Sequence, residues 1–204
     1  MEKNNNADPF RLILASQSPY RRELLSRLAI PFECLSPDID EEQIKKQLTL
    51  QGCTMLELAQ ALARAKCQAV AQVETDATVI GSDQLVEWQG RVLGKPHTMP
   101  AAKKQLQDLQ GHTHRLITAV AVQSSAGLLE FVDVTTLHMR SLTEDEITRY
   151  LEVDRPFDCA GSYKIEELGI GLFDKIDGQD STAIIGLPLL ELSKTLRQLG
   201  FQIP

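Results

Sequence analysis

The chain has no apolar run near the ~18 residues that a membrane span needs. It has no basic excess either: 21 Lys and Arg stand against 28 Asp and Glu, a net charge of −7. Non-specific nucleic-acid binding releases counterions from a basic surface, so this balance argues against a DNA- or RNA-coating protein. A small anionic ligand remains compatible, because it needs only a local basic pocket. The four cysteines, Cys34, Cys53, Cys67 and Cys159, include no CxxC pair, which removes zinc-ribbon and thioredoxin readings. Reduced, buried or half-buried thiols are expected. Repeats, low-complexity segments and a glycine-rich phosphate loop are also missing. Residues 1–9, Met1 to Pro9, are mostly polar, with no apolar stretch behind a basic start, and residues 1–10 are taken together as the tail. They read as a flexible tail rather than a secretory signal, and the expected location is the cytoplasm.

What is present is ordinary for a globular domain: 204 residues, 43% hydrophobic and 24% charged. A chain of this length buries about 70% of its unfolded surface, so its core needs no disulfide or structural metal. Residues 11–204 are expected to form one domain with two lobes. Leu12-Ile13-Leu14-Ala15 reads as a buried strand, and Ser18-Pro19 as the N-cap and first residue of a helix ended by Pro31. A short strand over 32–36 and an acidic loop, Pro37 to Glu42, follow. Thr54-Met55-Leu56-Glu57 is a capping box opening a helix to about Val73, with Leu58, Leu62, Ala65 and Ala69 on one face. Thr78 to Ile80 reads as a strand that ends in the turn Gly81-Ser82-Asp83-Gln84. Residues 85–88 and 91–93 form a hairpin, and 101–109 a helix. Residues 112–123 and 128–140 form a second hairpin. A helix from the capping box at Thr143, a strand over 169–176 and a helix over 187–199 complete the chain. The alternation predicts a mixed α/β sheet with a cleft.

Several clusters could carry chemistry. The strand-to-helix turn Ser16-Gln17-Ser18-Pro19-Tyr20-Arg21-Arg22 offers backbone N–H groups, the positive end of a helix dipole, hydroxyls and two arginines, a set that suits phosphate. A capped helix with solvated arginines fits the same residues. Asp38, Asp40, Glu41 and Glu42 could hold Mg²⁺ through water or simply face solvent. Asp83, at the end of a buried strand, could be a general base, a metal ligand or an ordinary turn carboxylate. Lys66 and Lys95 are single lysines of a kind usually found at the surface. His112 and His114 share a strand face; with no third ligand placed, they read as exposed strand residues. Trp88 reads as packing.

Seven segments, taken in order, resemble the Maf family of nucleotide pyrophosphatases. They are residues 12–22 with Leu24-Leu25, Pro37 to Glu41, Ala63-Arg64-Ala65-Lys66, Ile80 to Gln84, Leu93-Gly94-Lys95-Pro96, Cys159 to Lys164, and Ile185-Gly186-Leu187-Pro188. The resemblance runs from Arg11 nearly to the C-terminus. It implies an elongated mixed β-sheet with flanking helices in two lobes around a cleft, related to the inosine triphosphate pyrophosphatases. The implied activity is hydrolysis of a nucleoside triphosphate to monophosphate and diphosphate with a divalent metal, Mg or Mn. Carried over by position, Asp83 matches the catalytic acid, while Ser16, Arg21, Lys66 and Lys95 match phosphate-binding positions. Glu41 joins Asp83 as a metal-handling residue. A homodimer is a further family expectation.

The family divides by substrate. The branch acting on dTTP and UTP carries arginine, threonine and glutamine where this chain has Tyr20, Gln84 and Glu166. The three residues here look like the branch acting on 7-methyl-GTP, which commonly has tryptophan in place of Tyr20. The chemistry agrees: 7-methylguanine is cationic, an aromatic face attracts a cation by about 0.5–2 kcal/mol, and a carboxylate can accept from the guanine N1–H and N2–H₂ edge. The competing expectations are the pyrimidine branch and a nucleotide-binding regulator of cell division without turnover.

Overall fold

The computed structural model describes residues 11–203; the expected tail at 1–10 lies outside the described residues. In chain order the elements are β1 (Leu12–Ala15), α1 (Pro19–Ser26), β2 (Glu33–Leu35), α2 (Glu41–Leu50), α3 (Met55–Ala71), β3 (Thr78–Trp88), β4 (Arg91–Leu93), α4 (Met99–Leu109), β5 (Thr113–Ser124), β6 (Gly127–Met139), α5 (Glu144–Asp154), β7 (Phe173–Asp177), α6 (Ser181–Ile185) and α7 (Leu189–Gln198). Short 3-10 turns occupy Ala160–Ser162 and Leu168–Leu172. The result is a mixed α/β fold. Among the described residues, no helix is long and apolar enough to cross a membrane.

One seven-stranded sheet runs β2-β1-β3-β5-β6-β7, with β4 also paired to β3. β2, β1 and β3 are parallel, and the remaining pairs are antiparallel. On one edge of β3, β1 pairs with Thr78 to Ile80 and β4 with Val86 to Trp88. Among the described residues, 81–85 between them have no strand partner on that edge. This notch lies beyond the C-terminal end of β1, where parallel strands of α/β folds gather ligands.

The expected turn at Gly81-Ser82-Asp83-Gln84 is therefore a correction: β3 continues through all four residues. The ladder to β5 runs unbroken from Val79 to Glu87 and outweighs the turn-like composition. Because side chains alternate along a strand, Asp83 shares a face with Val79 and Leu85, which pack under α3. Ser82 and Gln84 face the opposite layer, and their side chains bond to the end of α6.

The capping boxes at Thr54 and Thr143 form in full, with reciprocal bonds to Glu57 and Glu146. The buried stripe of α3 is Leu58, Ala59, Leu62, Ala63, Lys66, Cys67 and Val70; Ala65 and Ala69 are only half-buried. Three apolar clusters result, one between α3 and the sheet, one under α1 and α7, and one around α4 and α5.

A Cβ at Gly81 would lie 2.4 Å from the Ala63 carbonyl oxygen and 2.5 Å from the Cys67 amide nitrogen. Backbone on both sides cannot give way cheaply, so α3 rests directly on β3 here. Gly81→Ala should destabilise the chain by about 1–3 kcal/mol, the usual cost of overpacking. It should also depress activity by lifting Lys66 from Asp83. A urea midpoint unchanged from wild type would show that the contact is not needed.

Two further expectations change. The acidic loop is half helix: Asp40 caps α2 by accepting from the Gln43 N–H at 2.9 Å, and Glu41 and Glu42 form the first turn, where carboxylates favour the helix dipole. The strand expected from residue 169 begins at Phe173, after a 3-10 turn.

Candidate active site

A cavity of about 470 Å³ opens at the notch, lined from the β1–α1 turn, the start of α2, α3, β3, the 158–166 segment and the end of α6. Of the nine residues singled out from the sequence, Ser16, Tyr20, Arg21, Glu41, Lys66, Gln84, Lys95 and Glu166 line it. Asp83 lies directly behind Lys66, with Nζ to Oδ1 at 2.6 Å.

Lys66 is the centre of the cationic end. It is not a surface lysine, being only 7% exposed, and it pairs with Asp83 and, at 3.0 Å, with Glu41. Burial pushes the Glu41 carboxyl up, but Lys66, Lys45 and Arg21 outweigh burial and hold it below the usual carboxylate range. Asp38, Asp40 and Glu42 are exposed, so Glu41 is the member of the acidic run that turns inward. The second Asp83 oxygen, Oδ2, is buried with no hydrogen-bond partner among the described residues. Such groups are rare in native proteins and call for a ligand or water.

Arg21 donates through Nε to the Gly186 carbonyl at 2.9 Å, and Ser82 Oγ donates to the same oxygen at 3.0 Å. Gly186 has φ +125°, a conformation that favours glycine. Burial lowers the Arg21 pKa, while Asp83 and Glu41 oppose that shift. Arg22, by contrast, is exposed and outside the cavity lining.

The backbone cradle is smaller than the sequence suggests. Ser16 and Ser18 amides bond to the Leu14 carbonyl and to Ser16 Oγ, the Arg21 amide bonds to Ser18 Oγ, and Pro19 has none. Only the Gln17 and Tyr20 amides of this turn are left for a ligand among the described residues. The groups that this cavity offers an anion are therefore mainly the side chains of Arg21, Lys66 and Lys95.

The other end of the cavity is aromatic and acidic. The Tyr20 hydroxyl donates to Asp158 Oδ2 at 3.4 Å. Burial, then the neighbouring Cys159, Asp158 and Glu166, push its pKa up, so the phenol stays neutral. Glu166 is exposed at the cavity wall. Gln84 is more constrained than expected. Its Nε2 reaches Thr118 Oγ1 at 3.0 Å and the Ala183 and Ile184 carbonyls at 2.9 Å. Only Oε1, an acceptor, is left for a base.

Sequence reasoning missed Asp158, Ser82, Thr118 and α6. The last is a single short helix whose N-cap, Asp180, accepts from the Thr182 amide at 2.8 Å and the Leu190 amide at 2.7 Å. It also misplaced His114, which is 2% exposed rather than on the surface. His114 Nε2 bonds to the hydroxyl of Tyr163, a cavity-lining residue, at 2.9 Å. Trp88 does pack, edge-on to His112. All four cysteines are free, with Cys67 buried and the others half-buried.

Burial lowers the His114 pKa to about 4. The unfolded chain then binds the extra proton at a pH where the folded one does not. Stability should fall as pH drops below the unfolded value of about 6.5 and level off below the folded value. Between pH 7 and 5 the loss is about 2 kcal/mol. His114→Phe should flatten this slope in urea titrations; an unchanged slope would assign it to other groups.

A divalent cation has a restricted set of protein ligands here. No group of three or more His, Cys, Asp and Glu that could hold a metal occurs among the described residues. Asp83, with its unpartnered oxygen, and Glu41 fit a hard cation that takes its other ligands from phosphate oxygens and water.

The fold is mixed α/β with a partly cationic cavity at the sheet notch, and comparison gives the family. The sequence profile of the Maf-like protein family matches residues 11–199, and the chain belongs to the Maf family. It is 50% identical over 187 residues to the 7-methyl-GTP pyrophosphatase of Bdellovibrio bacteriovorus, covering 91% of this chain and 95% of the relative. It is 45% identical over 195 residues to the 7-methyl-GTP pyrophosphatase of Pseudomonas aeruginosa (95% and 98%). It is 46% identical over 194 residues to that of Xanthomonas axonopodis pv. citri (95% and 99%).

Proposed function

We propose that the chain is a nucleoside triphosphate pyrophosphatase that hydrolyses 7-methyl-GTP to 7-methyl-GMP and diphosphate. One observation carries the reading. A single cavity joins a cationic end, with Arg21, Lys66 and Lys95 around the buried Asp83, to an aromatic-acidic end with Tyr20, Asp158 and Glu166. A triphosphate attached to a cationic base has the complementary polarity. The names of the relatives and the residues at 20, 84 and 166 support the same substrate.

A triphosphate carries about four negative charges, and the chain is itself acidic, so local cations must offset both. Arg21 holds the phosphates in fixed orientation; Lys66 and Lys95 act as point charges. Water attacks the α-phosphorus and the bond to the β-phosphate breaks. Glu41, in the cavity wall, and Asp83, behind Lys66, are the carboxylates that take the water's proton or hold a divalent cation. When bound, that cation supplies positive charge to phosphate oxygens and acidifies water. Tyr20 offers a stacking face, while Glu166 and Gln84 Oε1 accept from the guanine donor edge. The cytoplasm, where such triphosphates occur, is the proposed site of action.

The test is diphosphate release from 7-methyl-GTP, GTP, UTP and dTTP with Mg²⁺ or Mn²⁺. The highest kcat/KM should fall on 7-methyl-GTP. Preference for UTP or dTTP would place the chain in the pyrimidine branch. Binding without release would make it a nucleotide-dependent regulator.

A further inference from the structure

We propose that the Lys66 ammonium is an internal counter-ion that keeps the Asp83–Glu41 carboxylates closed to divalent cations until a triphosphate draws it away, so that metal and nucleotide bind as a coupled pair. The coupling rests on the reading of the cavity as a triphosphate site.

Lys66 sits on the apolar stripe of α3, among Leu62, Ala63, Cys67 and Val70. A lysine is rarely buried unless paired, and here both partners are carboxylates, at 2.6 Å and 3.0 Å. The contact of α3 on Gly81 fixes the helix at the height that makes this pairing. Lys45 does not replace Lys66. Its hydrogen bond goes to Glu42 at 2.9 Å, an exposed partner one turn earlier in α2, and Glu41 and Asp83 act on it only at longer range.

A dication held by Asp83 and Glu41 competes for the oxygens that Lys66 already neutralises. It also approaches a like charge on the poorly solvated Lys66–Asp83 side, where repulsion is stronger than in water. The unpartnered Asp83 Oδ2 gives the cation a foothold, but the ammonium beside Oδ1 opposes its binding. The cavity lining includes Lys66 itself, so its head can be reached by phosphate. Transfer of the ammonium from carboxylate to phosphate frees both carboxylates and keeps the local charge balanced. By linkage, each ligand then raises the other's affinity by the same factor.

The experiment uses the nucleotide-free full chain and Mn²⁺ alone, following free Mn²⁺ by electron paramagnetic resonance. Wild type should bind weakly. Lys66→Met should bind one Mn²⁺ at least ~10-fold more tightly, within the usual range of a coupling. Lys66→Arg keeps the charge and should behave as wild type. The double variant Lys66→Met/Asp83→Asn should lose the gain, which places the ion at this pair. Equal Mn²⁺ affinity in wild type and Lys66→Met, or tight binding retained in the double variant, overturns the proposal. Lys66→Met also removes the ion-pair partner of buried Asp83 and leaves Glu41 with only the longer-range charges of Lys45 and Arg21, so thermal unfolding is read in parallel. Mn²⁺ should raise its midpoint more than that of wild type. If the variant is unfolded without metal, Mn²⁺ should restore its far-ultraviolet circular dichroism, and failure to do so also overturns the idea. Nucleotide and turnover are absent from every arm. Tightened Mn²⁺ binding together with a failed nucleotide panel would therefore sink the proposed function and leave the counter-ion standing.

Discussion

Asp83→Asn should lower diphosphate release from 7-methyl-GTP by at least ~10²-fold. The substitution keeps shape and leaves an acceptor oxygen for Lys66, but it removes the negative charge. That charge has two uses at the site. It balances the buried ammonium at 2.6 Å, and it makes Oδ2, which has no other partner, a base or a cation ligand. An asparagine is no base, and its neutral carbonyl holds a cation far less strongly than a carboxylate does. The variant should also lose stability, because an orphaned buried charge costs about 3–5 kcal/mol. The loss should fall short of that range, since Glu41 remains 3.0 Å from Lys66. Turnover and urea midpoint must therefore be read together. A stable, folded variant with near-normal turnover would remove Asp83 from the chemistry. A large loss of stability with kcat preserved in the folded fraction would give it a structural role alone.

The parts of this arrangement legible in the sequence are those with local causes. Ser18-Pro19 and the boxes at Thr54–Glu57 and Thr143–Glu146 each satisfy helix-end donors within a few residues, so spacing reveals them. What was misread depends on distant partners. Gly81-Ser82-Asp83-Gln84 has the composition of a turn, yet β5 lies alongside it and extends the strand. His114 alternates with exposed neighbours, yet Tyr163 and Phe173 from much later in the chain enclose it. α6 is too short for periodicity to show. Asp40-Glu41-Glu42-Gln43 did carry a signal: a capping residue opening an acidic first turn, of which α2 uses the cap, with Asp40 accepting from the Gln43 N–H. Lys66 also carried one, since a lysine inside the stripe of α3 implies a buried partner. The grouping of site residues became visible from the order of seven family segments, and the cavity gathers eight of the nine around one space. The physical reason for Asp83 being the ninth is its position one layer below, as the partner of Lys66.

Glu166→Gln should relax base selection while leaving phosphate handling intact. Glu166 stands at the acidic end of the cavity, exposed, on the same segment as Asp158. It belongs to no strand or helix, so a change of equal size should disturb the fold little. The carboxylate offers two acceptors and a negative charge, matching the N1–H and N2–H₂ donors and the positive ring of 7-methylguanine. Glutamine keeps one acceptor and turns the other into a donor facing a donor. A mispaired buried group costs roughly 1–3 kcal/mol, or about 5- to 150-fold. The upper part of that range requires the bound base to shut water out, because solvent screens an exposed charge. Gln84 cannot adapt by turning its amide over, since its Nε2 is held by the Ala183 and Ile184 carbonyls. The loss in kcat/KM should be largest for 7-methyl-GTP, which loses both a hydrogen bond and an attraction. It should be smaller for GTP, which loses the hydrogen bond alone. UTP should hold or gain, because uracil presents carbonyls beside its single N–H and can use the new donor. The comparison is kcat/KM for the three nucleotides in wild type and variant. An equal loss on all three would mean that Glu166 supports the segment or the phosphates, and that the base is chosen by Tyr20 and Asp158 instead.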